Sequence, residues 1–233
     1  MMLRRFAEVD TEIPPTGAQR ILDIGSAWGY NVMALSRVGI DAVGMDLVID
    51  QFAVGARIAG ENGLHLSVVG ADAAHLPFGD GEFTSITMVE TFEHIYEQDR
   101  ARAIAECRRV LGAGGRLILS TPNHGSIIER VKRIVVKLPW LQRRLPTMCY
   151  PVGDIARSEY HPYRYHRPWS VGEITDQIES LGFKVLKVKH FLFVFKNAPD
   201  TVVPALTLLE RILEKTPGLR RLAATVCVVA QRV

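Results

Sequence analysis

Cysteine is scarce in this chain, and the few cysteines are not spaced for a framework. Cys107, Cys149 and Cys227 are odd in number, lie far apart and form no CxxC pair. Neither a disulfide framework nor a zinc site built on paired cysteines is therefore expected. Scattered thiols fit a reducing compartment, so we expect the protein to be cytoplasmic.

Long apolar runs are also missing. No stretch of about 18 apolar residues occurs, which is the shortest run usually interpreted as a transmembrane helix. Residues 1–7 contain arginines but no apolar segment long enough for a signal peptide. The sequence thus predicts neither a membrane-spanning nor a secreted protein.

Charge and composition exclude little else. The net charge of +3 is small, and 48% hydrophobic and 23% charged residues are ordinary values for a globular chain. A length of 233 residues suits one α/β domain with an insertion, so residues 1–233 are predicted to form a single domain. Residues 1–18 are expected to be a polar lead-in.

The most informative stretch runs from Ile21 to Gly29, where an apolar segment ends in a glycine-bounded turn. Val32, Leu35 and Val38 then recur at helical spacing. A buried strand that stops at a tight turn before a helix lets a ligand lie against the backbone and the first helix amides. The stretch predicts the wall of a nucleotide-like site, although a purely structural turn stays open.

A dinucleotide site is disfavoured by the same turn. The dinucleotide fingerprint requires glycines at its first, third and sixth positions. Counting from Gly25, the third position is Ala27 and the sixth is Tyr30. The ligand is therefore not expected to be NAD.

Strand and helix patterns alternate along the chain, which predicts a parallel sheet with right-handed crossovers. The strands are predicted at 20–24, 41–46, 64–69, 84–89, 116–121, 183–190 and 223–232. Helices are predicted to end near residues 37, 59, 111, 181 and 213, most of them at glycines.

Acidic residues follow three successive strands at the same predicted edge of the sheet. Asp23 and Asp72 end the first and third strands, and Asp46 ends the second, 21 residues beyond Gly25. A carboxylate at the position of Asp46 can accept hydrogen bonds from both hydroxyls of a ribose. One aspartate after a strand is usually a cap or turn residue, but three beside one turn are harder to explain in that way.

Together with the first turn, two further stretches resemble class I S-adenosylmethionine-dependent methyltransferases. They are LPFGDGEFTSITMVETFEHI and ECRRVLGAGGRLILSTPN, and the resemblance covers about residues 20–123 plus a later helix and strand. Two positions depart from the family pattern. Ala27 stands where the family has its middle glycine, and Thr84 stands where many relatives carry aspartate.

The resemblance implies both a fold and a cofactor. The fold is α/β, a Rossmann-like doubly wound seven-stranded sheet of order 3-2-1-4-5-7-6 with the last strand antiparallel, plus an inserted helical lid. The cofactor is S-adenosyl-L-methionine, and Asp72 is implied to accept from its adenine amino group. The implied cofactor-binding residues are Asp23, Gly25, Ser26, Ala27, Gly29, Asp46, Leu47, Ala71, Asp72, Ala73 and Val89.

A second constellation follows the fourth strand. On a helical turn Glu90, Glu93 and His94 share one face, and two carboxylates with an imidazole suit Mg²⁺ or Mn²⁺. The ExxEH pattern resembles ubiquinone-pathway O-methyltransferases and small-RNA 3′-terminal 2′-O-methyltransferases. In the latter group the same triad and a later histidine hold a metal.

The later histidine is predicted to be His166, with His161 and His124 as alternatives, because spacing fixes none of them. A different reading has His94 capping or packing locally without any metal. Without a metal, His94 or His166 could still be a general base near neutral pH. The predicted catalytic residues are His94, His166 and Glu90, and the predicted metal ligands are Glu90, Glu93, His94 and His166.

Residues 123–168 form a basic insertion after the fifth strand, where a lid or an acceptor-binding element can be grafted. They contain nine lysines or arginines against three acids. Apolar residues within 127–138 are spaced for one helical face, which indicates a membrane-surface or partner-binding helix over 127–145. A helix packed on the domain with solvated basic residues is the alternative.

Three functions stay open. The first is O-methylation of a small or lipid-like acceptor by direct in-line displacement, in which positioning supplies most of the acceleration. The second is RNA methylation, with the insertion contacting phosphates. The third is an inactive methyltransferase-like binding module, which Ala27 and Thr84 keep open. The sequence leaves the oligomeric state undetermined.

Overall fold

The structure is a computed structural model that describes residues 2–14, 19–144, 166–192 and 203–233. His161, Cys149 and residues 145–165 of the insertion lie outside the described residues. Seven strands are present in the described part: β1 (Arg20–Ile24), β2 (Asp41–Asp46), β3 (Val68–Gly70), β4 (Phe83–Val89), β5 (Leu111–Pro122), β6 (Phe183–Phe191) and β7 (Thr225–Arg232).

These strands form one sheet in the order β3-β2-β1-β4-β5-β7-β6. The first five strands pair in parallel, and β7 pairs antiparallel with both β5 and β6. The predicted strand order and the antiparallel direction of the last strand are confirmed. The carboxyl ends of β1 to β6 therefore meet at one edge of the sheet, which we call the carboxyl edge.

Helices cover both faces of the sheet. Their bounds are α1 (Met2–Asp10), α2 (Tyr30–Arg37), α3 (Asp50–Glu61), α4 (Glu97–Val110), α5 (Ile127–Val136), α6 (Pro139–Arg144), α7 (Val171–Ser180) and α8 (Val203–Lys215). Short 3-10 turns occupy Phe92–His94 and Leu219–Leu222. Over the ranges that the structure covers, none of the helices has the length and apolar character to cross a bilayer.

Alternating side chains of the central strands pack into two apolar layers, one on each face of the sheet. Leu117 and Leu119 of β5 lie in the layer that includes Ile104 of α4 and Ile174 of α7. Ile118 points to the opposite layer, with α1 and α2. A sheet covered on both faces explains why its central strands are continuous apolar runs.

The N-terminal segment corrects the sequence prediction. Residues 1–18 were expected to be a polar lead-in, but residues 2–10 form α1, and Val9 and Ile13 are buried against the sheet. Phe6, Val9 and Ile13 recur at intervals of three and four residues, which is helical spacing, so the sequence does carry a signal for this helix. Their side chains pack α1 onto the domain.

Strand boundaries shift in two places. β3 spans only Val68–Gly70, shorter than the predicted 64–69, because this edge strand pairs with β2 alone. β5 begins at Leu111, immediately after α4, and its pairing with β4 is irregular between Phe83 and Ser85. Neither shift moves the carboxyl ends of β1 and β2, which carry the candidate site.

Candidate active site

A cavity of about 440 Å³ opens at the carboxyl edge. Its walls come from the turns that follow β1, β2, β3 and β4, and Phe6 of α1 closes one side. Most of the predicted cofactor residues line it: Gly25, Ser26, Ala27, Asp46, Leu47, Ala71, Asp72, Ala73 and Val89. Four turns far apart in sequence thus form one site, as expected where parallel strands end together.

The floor of the cavity requires a glycine at position 25. Gly25 has a φ of 77°, in the left-handed region, and a Cβ built on it would overlap the side chain of Thr91. Gly29 also has a φ of 77° and begins α2, but it lies outside the cavity wall. The first glycine of the turn therefore shapes the site, and the last one starts the helix.

Ala27 keeps the backbone conformation of a glycine. Its φ of 49° is left-handed, which costs an alanine roughly 1–2 kcal/mol. Its amide donates a hydrogen bond of 2.9 Å to Oδ2 of Asp46. Left-handed geometry at this position accounts for the glycine expected there, and Ala27 is part of the cavity wall.

Asp46 is the best-held carboxylate of the cavity. Oδ2 accepts from the amide of Ala27, and Oδ1 accepts from the amide of Val48 at 2.9 Å. Each carboxylate oxygen has a second lone pair. The group is therefore oriented by the protein and can still accept hydrogen bonds from two hydroxyls of a ligand.

Asp72 has two roles that the sequence analysis treated as alternatives. Its Oδ1 accepts from the amide of Ala74 at 2.8 Å, which makes it the turn residue after β3, and it also lines the cavity. Ala71 and Ala73 beside it leave room for a flat group against the wall. Capping the turn thus holds the carboxylate in place at the site.

Asp23 lies beneath the cavity rather than in its wall. It is 2% exposed, and its Oδ1 accepts from Thr87 Oγ1 at 2.6 Å and from Asn31 Nδ2 at 3.3 Å. Burial raises its pKa to about 6. Asp23 therefore connects β1 with β4 and α2 below the turn and does not line the cavity.

Asp10 belongs to the same buried polar group and was missed by the sequence analysis. Burial, and secondarily the charge of Asp23, raises its pKa to about 7, while a hydrogen bond with Asn31 opposes the shift. Asp10 ends α1, so the N-terminal helix is coupled to the turn after β1. No sequence signal marked it, because the lead-in was not expected to fold.

Glu90 enters the cavity from the end of β4. Its φ of 52° is left-handed, and its carboxylate forms an ion pair of 3.1 Å with Arg5 of α1. Burial, together with the nearby carboxylate of Glu93, raises the pKa of Glu90. Glu93 is buried outside the cavity and accepts from Thr121 Oγ1 at 2.9 Å.

The predicted metal site is not formed by the residues that the structure describes. Among them, no group of three or more histidine, cysteine, aspartate or glutamate side chains is arranged to hold a metal ion. The regular helical turn expected over residues 90–94 is replaced by a 3-10 turn that begins at Phe92, after the left-handed Glu90. Glu90 is paired with Arg5 and Glu93 with Thr121, so both carboxylates have protein partners, although they lie near each other.

His94 and His166 do meet. Their ring centroids lie 5.3 Å apart at an interplanar angle of 66°. His94 lines the cavity, whereas His166 is buried behind it, and burial lowers the pKa of His166 to about 3. His166 is thus neutral near pH 7, and of the described histidine candidates it is the one beside His94, since His124 is exposed at the start of the insertion.

Arg100 explains how a distant segment reaches His94. Its buried guanidinium donates to the carbonyl of Ile95 at 2.9 Å and lies 4.4 Å from the ring centroid of Trp169. The amide of Arg167 donates to the carbonyl of Glu93 at 3.0 Å. These contacts dock residues 166–169 onto the turn after β4, and spacing alone could not have selected His166.

The mouth of the cavity is apolar and aromatic. Phe6, Trp28, Tyr30, Leu47 and Tyr96 line it, and Trp28, Tyr30 and Leu47 are exposed. Trp28 and Tyr30 contact each other with ring centroids 5.8 Å apart. These aromatic residues were not predicted from the sequence, because they lie next to the motifs but outside their defining positions.

Thr84 lies at the opposite end of β4 from the cavity. Its hydroxyl donates to the carbonyl of Arg20 and accepts from the amide of Arg20, both at 3.1 Å. This departure from the family pattern therefore affects strand pairing at the amino ends of β1 and β4. It gives no support to the binding-module alternative.

The cavity fits the donor that the resemblance implies. Fixed Asp46 suits ribose hydroxyls, and the apolar side chains of Ile24, Met45 and Val89 suit a flat base. Residues 22–119 match the family described as Methyltransferase domain. Demethylmenaquinone methyltransferase of Thermus thermophilus is 31% identical over 169 residues, 70% of this chain and 69% of that protein.

Two further comparisons agree. Ubiquinone biosynthesis O-methyltransferase of Methylococcus capsulatus is 30% identical over 154 residues, covering 66% of this chain and 62% of that protein. A SAM-dependent methyltransferase structure from Thermotoga maritima has a TM-score of 0.65 at 21% identity, over 100% of this chain and 89% of that chain, which shows the shared fold. The chain therefore belongs to the class I S-adenosylmethionine-dependent methyltransferase family.

Proposed function

We propose that this methyltransferase methylates an oxygen atom of a small, lipid-like aromatic acceptor. The observation that carries the proposal is the aromatic and apolar mouth beside His94, formed by Phe6, Trp28, Tyr96 and their neighbours. Such a mouth suits a ring with an apolar tail. The name of ubiquinone biosynthesis O-methyltransferase is consistent with transfer to oxygen, and the name demethylmenaquinone methyltransferase is consistent with a lipid-like quinone-type acceptor without specifying the atom.

Bound S-adenosylmethionine would supply a methyl group that its sulfonium already activates for direct in-line displacement. The residues of this chain then have to hold the nucleoside, align the acceptor and exclude water. Asp46 is proposed to bind the ribose and Asp72 the base, and Val89 and Ala71 supply apolar wall. These roles require no covalent intermediate on the protein.

His94 is the proposed general base. It is the histidine of the cavity wall, and an imidazole can accept the proton of an acceptor hydroxyl near neutral pH. Buried His166, held in its neutral form, packs against the ring of His94 and limits its orientation. Glu90 and Arg5 flank the same wall as a paired group, so Glu90 is proposed to position this wall rather than to bind a metal.

The test compares His94→Gln with His65→Gln, which replaces an exposed histidine distant from the cavity. Short-chain demethylated quinols and catechols are the acceptors, with labelled S-adenosylmethionine. We expect His94→Gln to lower kcat by about 10²–10⁴-fold, with unchanged affinity for S-adenosylhomocysteine, and His65→Gln to leave both unchanged. Full turnover of His94→Gln would contradict the assignment of the base.

A different result of the same assay would contradict the proposed class of acceptor. If the wild-type protein binds S-adenosylhomocysteine but methylates none of these phenolic acceptors, the proposed acceptor is wrong while the family assignment stands. Methylation of RNA oligonucleotides in the same assay would favour the RNA alternative. Methyl transfer to an amine or a carbon instead would retain the lipid-like acceptor and remove O-methylation.

A further inference from the structure

One helical surface at the carboxyl edge exposes apolar side chains that a globular protein normally buries. On α5, Ile127 is 50% exposed, Ile134 is 58% exposed and Val131 is also exposed, whereas Val135 packs inside. The exposed three recur at intervals of four and three residues and so form one stripe along the helix. The apolar face predicted from the sequence is therefore divided between the core and solvent.

Basic side chains flank this stripe. Arg130, Arg133 and Lys137 are exposed beside it, and α6 continues with exposed Trp140 and two further arginines. The acidic residue of α5, Glu129, is buried and paired with Lys132 at 2.5 Å. The outward side of α5 and α6 thus combines apolar and positive groups without an exposed acid.

An independent helix repeats the arrangement. On α8, Leu208 is 61% exposed, and Leu209 and Ile212 are exposed with it. Glu210 is buried, and Glu214 is partly buried and accepts from the amide of Leu192 at 2.7 Å. The basic residues Arg211 and Lys215 are exposed. Two helices from different parts of the chain therefore turn acids inward and present apolar and basic groups outward.

Both helices follow strands that end at the carboxyl edge. α5 comes after β5, and α8 comes after β6, which runs in the same direction as β5 because both are antiparallel to β7. Asn123, just before α5, donates from Nδ2 to the carbonyls of Arg221 at 2.9 Å and Ala223 at 2.8 Å, which follow α8. The chain segments that flank the two helices are thus in contact.

We infer that the exposed faces of α5 and α8 together dock on an anionic lipid bilayer. The surface, called here the docking face, is defined by Ile127, Val131 and Ile134 of α5 and by Leu208, Leu209 and Ile212 of α8. Amphipathic helices with basic flanks bind in the plane of a membrane by burying apolar side chains while lysine and arginine attract anionic headgroups. Nucleic acid would use the positive charge but would leave the apolar stripe in water, so the lipid surface fits better.

Docking in this way would bring the carboxyl edge, where the cavity opens, toward the apolar interior of the bilayer, in which lipid-like molecules dissolve. The inference does not depend on the acceptor, since vesicle binding is measured without methyl transfer. Turnover of a water-soluble acceptor in the absence of vesicles tests the proposed function separately. The two proposals can therefore fail independently.

The experiment is flotation of the full chain with phosphatidylcholine vesicles that contain either no phosphatidylglycerol or about 30% of it. We expect binding to the anionic vesicles, weaker binding to the neutral ones, and release by salt. The variant Val131→Asn/Ile134→Asn should lose most of this binding. Its matched control is Val38→Asn/Leu186→Asn, which changes exposed apolar residues outside the docking face and should bind like the wild type.

Charge is tested in the same way. Each basic residue near an anionic surface contributes roughly a factor of five to partitioning, so Arg130→Gln/Lys137→Gln should bind about 25-fold more weakly. Arg37→Gln/Arg57→Gln removes two exposed positive charges elsewhere and should have little effect. Unchanged melting temperature and unchanged affinity for S-adenosylhomocysteine in all variants would exclude misfolding as the cause.

Several results would overturn the inference. Equal flotation of the docking-face variants and their controls would do so, as would absence of binding to anionic vesicles at low salt. If Val131→Asn/Ile134→Asn instead converts a dimer into a monomer, the face is an interface between copies of the chain. Tight RNA binding that the Arg130→Gln/Lys137→Gln variant abolishes, without vesicle binding, would identify a nucleic-acid surface.

Discussion

The two ends of the carboxyl edge are built differently. On the side of β1 to β4, short turns and main-chain hydrogen bonds shape the cavity, and its key carboxylate, Asp46, is held by two amides. On the side of β5 and β6, the chain leaves the sheet in long segments whose helices expose apolar and basic groups. The donor half, on the side of β1 to β4, is thus specified by local backbone geometry, whereas the side of β5 and β6 is distinguished by the groups that its helices expose.

This difference separates what is shared with relatives from what is particular to this chain. Binding the same donor requires the same turns, so the donor half carries the recognisable motifs. The proposed acceptor site at the mouth has no such constraint from its backbone, and its specificity is expected to depend on side chains such as Phe6, Trp28 and Tyr96. Substitutions in the donor half should change affinity for S-adenosylhomocysteine, whereas substitutions in the docking face should not.

The largest effect is expected for Gly25→Ala. The new Cβ would overlap Thr91, and the φ of 77° is unfavourable for alanine, so affinity for S-adenosylhomocysteine should fall by roughly 30-fold or more. Gly60→Ala is the control, because a Cβ at that helical position meets no atom within 4 Å. Calorimetric titration measures both, and equal affinities would show that the turn does not shape the site.

A smaller loss is expected for Asp46→Asn. The neutral side chain of asparagine lacks the charge that strengthens the hydrogen bonds accepted from the main-chain amides of Ala27 and Val48. A hydrogen bond to a charged group contributes about 1.5–3 kcal/mol. Affinity for S-adenosylhomocysteine should drop by about 10–100-fold. Asp41→Asn changes an exposed aspartate at the other end of β2 and should leave the affinity unaltered. The same loss in both variants would argue for a general effect on the strand.

Asp10 should make stability depend on pH. Its pKa is raised from 3.8 to about 7, and that of Asp23 to about 6, mainly by burial. The folded state therefore binds more protons than the unfolded state between about pH 4 and 7, so the contribution of this pair to stability is fully present below about pH 4 and is lost as the pH rises through 6 and 7. Asp10→Asn should flatten this decline in melting temperature, while Asp41→Asn should not. A profile that keeps its slope in Asp10→Asn would exclude Asp10 as its cause.

The smallest effect is expected for Ala27→Gly. Glycine adopts the left-handed backbone without the cost to alanine, but it loses more conformational freedom on folding. Affinity for S-adenosylhomocysteine should therefore rise by no more than about fivefold. Ala53→Gly, on the exposed side of α3, should instead lower the melting temperature and leave affinity unchanged. Weaker binding in Ala27→Gly would mean that the methyl group contributes a contact to the ligand.

Much of the donor half could be predicted from the sequence. Gly25, Asp46 and Asp72 were placed by motif spacing, and strand order followed from the family resemblance, because these features depend on short stretches of chain. Asp23 was misplaced, since a strand-end position does not say whether a side chain points into the cavity or beneath it. Its partners Thr87 and Asn31 come from other elements, which the sequence does not bring together.

Long-range packing accounts for the remaining differences. The position of His166 beside His94 depends on Arg100 and Trp169, and α1 depends on burying Val9 and Ile13 against a sheet that forms later in the chain. The predicted convergence of Glu90, Glu93 and His94 assumed a regular helical turn. A left-handed residue followed by a 3-10 turn occurs there instead, and that change in backbone leaves no simple spacing signal.

The measurement that tests the central claim most directly is calorimetric titration of S-adenosylhomocysteine into the wild-type protein, Gly25→Ala and Gly60→Ala. The account predicts saturable binding at one site in the wild type and in Gly60→Ala, and strongly weakened binding in Gly25→Ala that retains its fold. Absence of binding to the wild type, or equal binding to all three proteins, would contradict it.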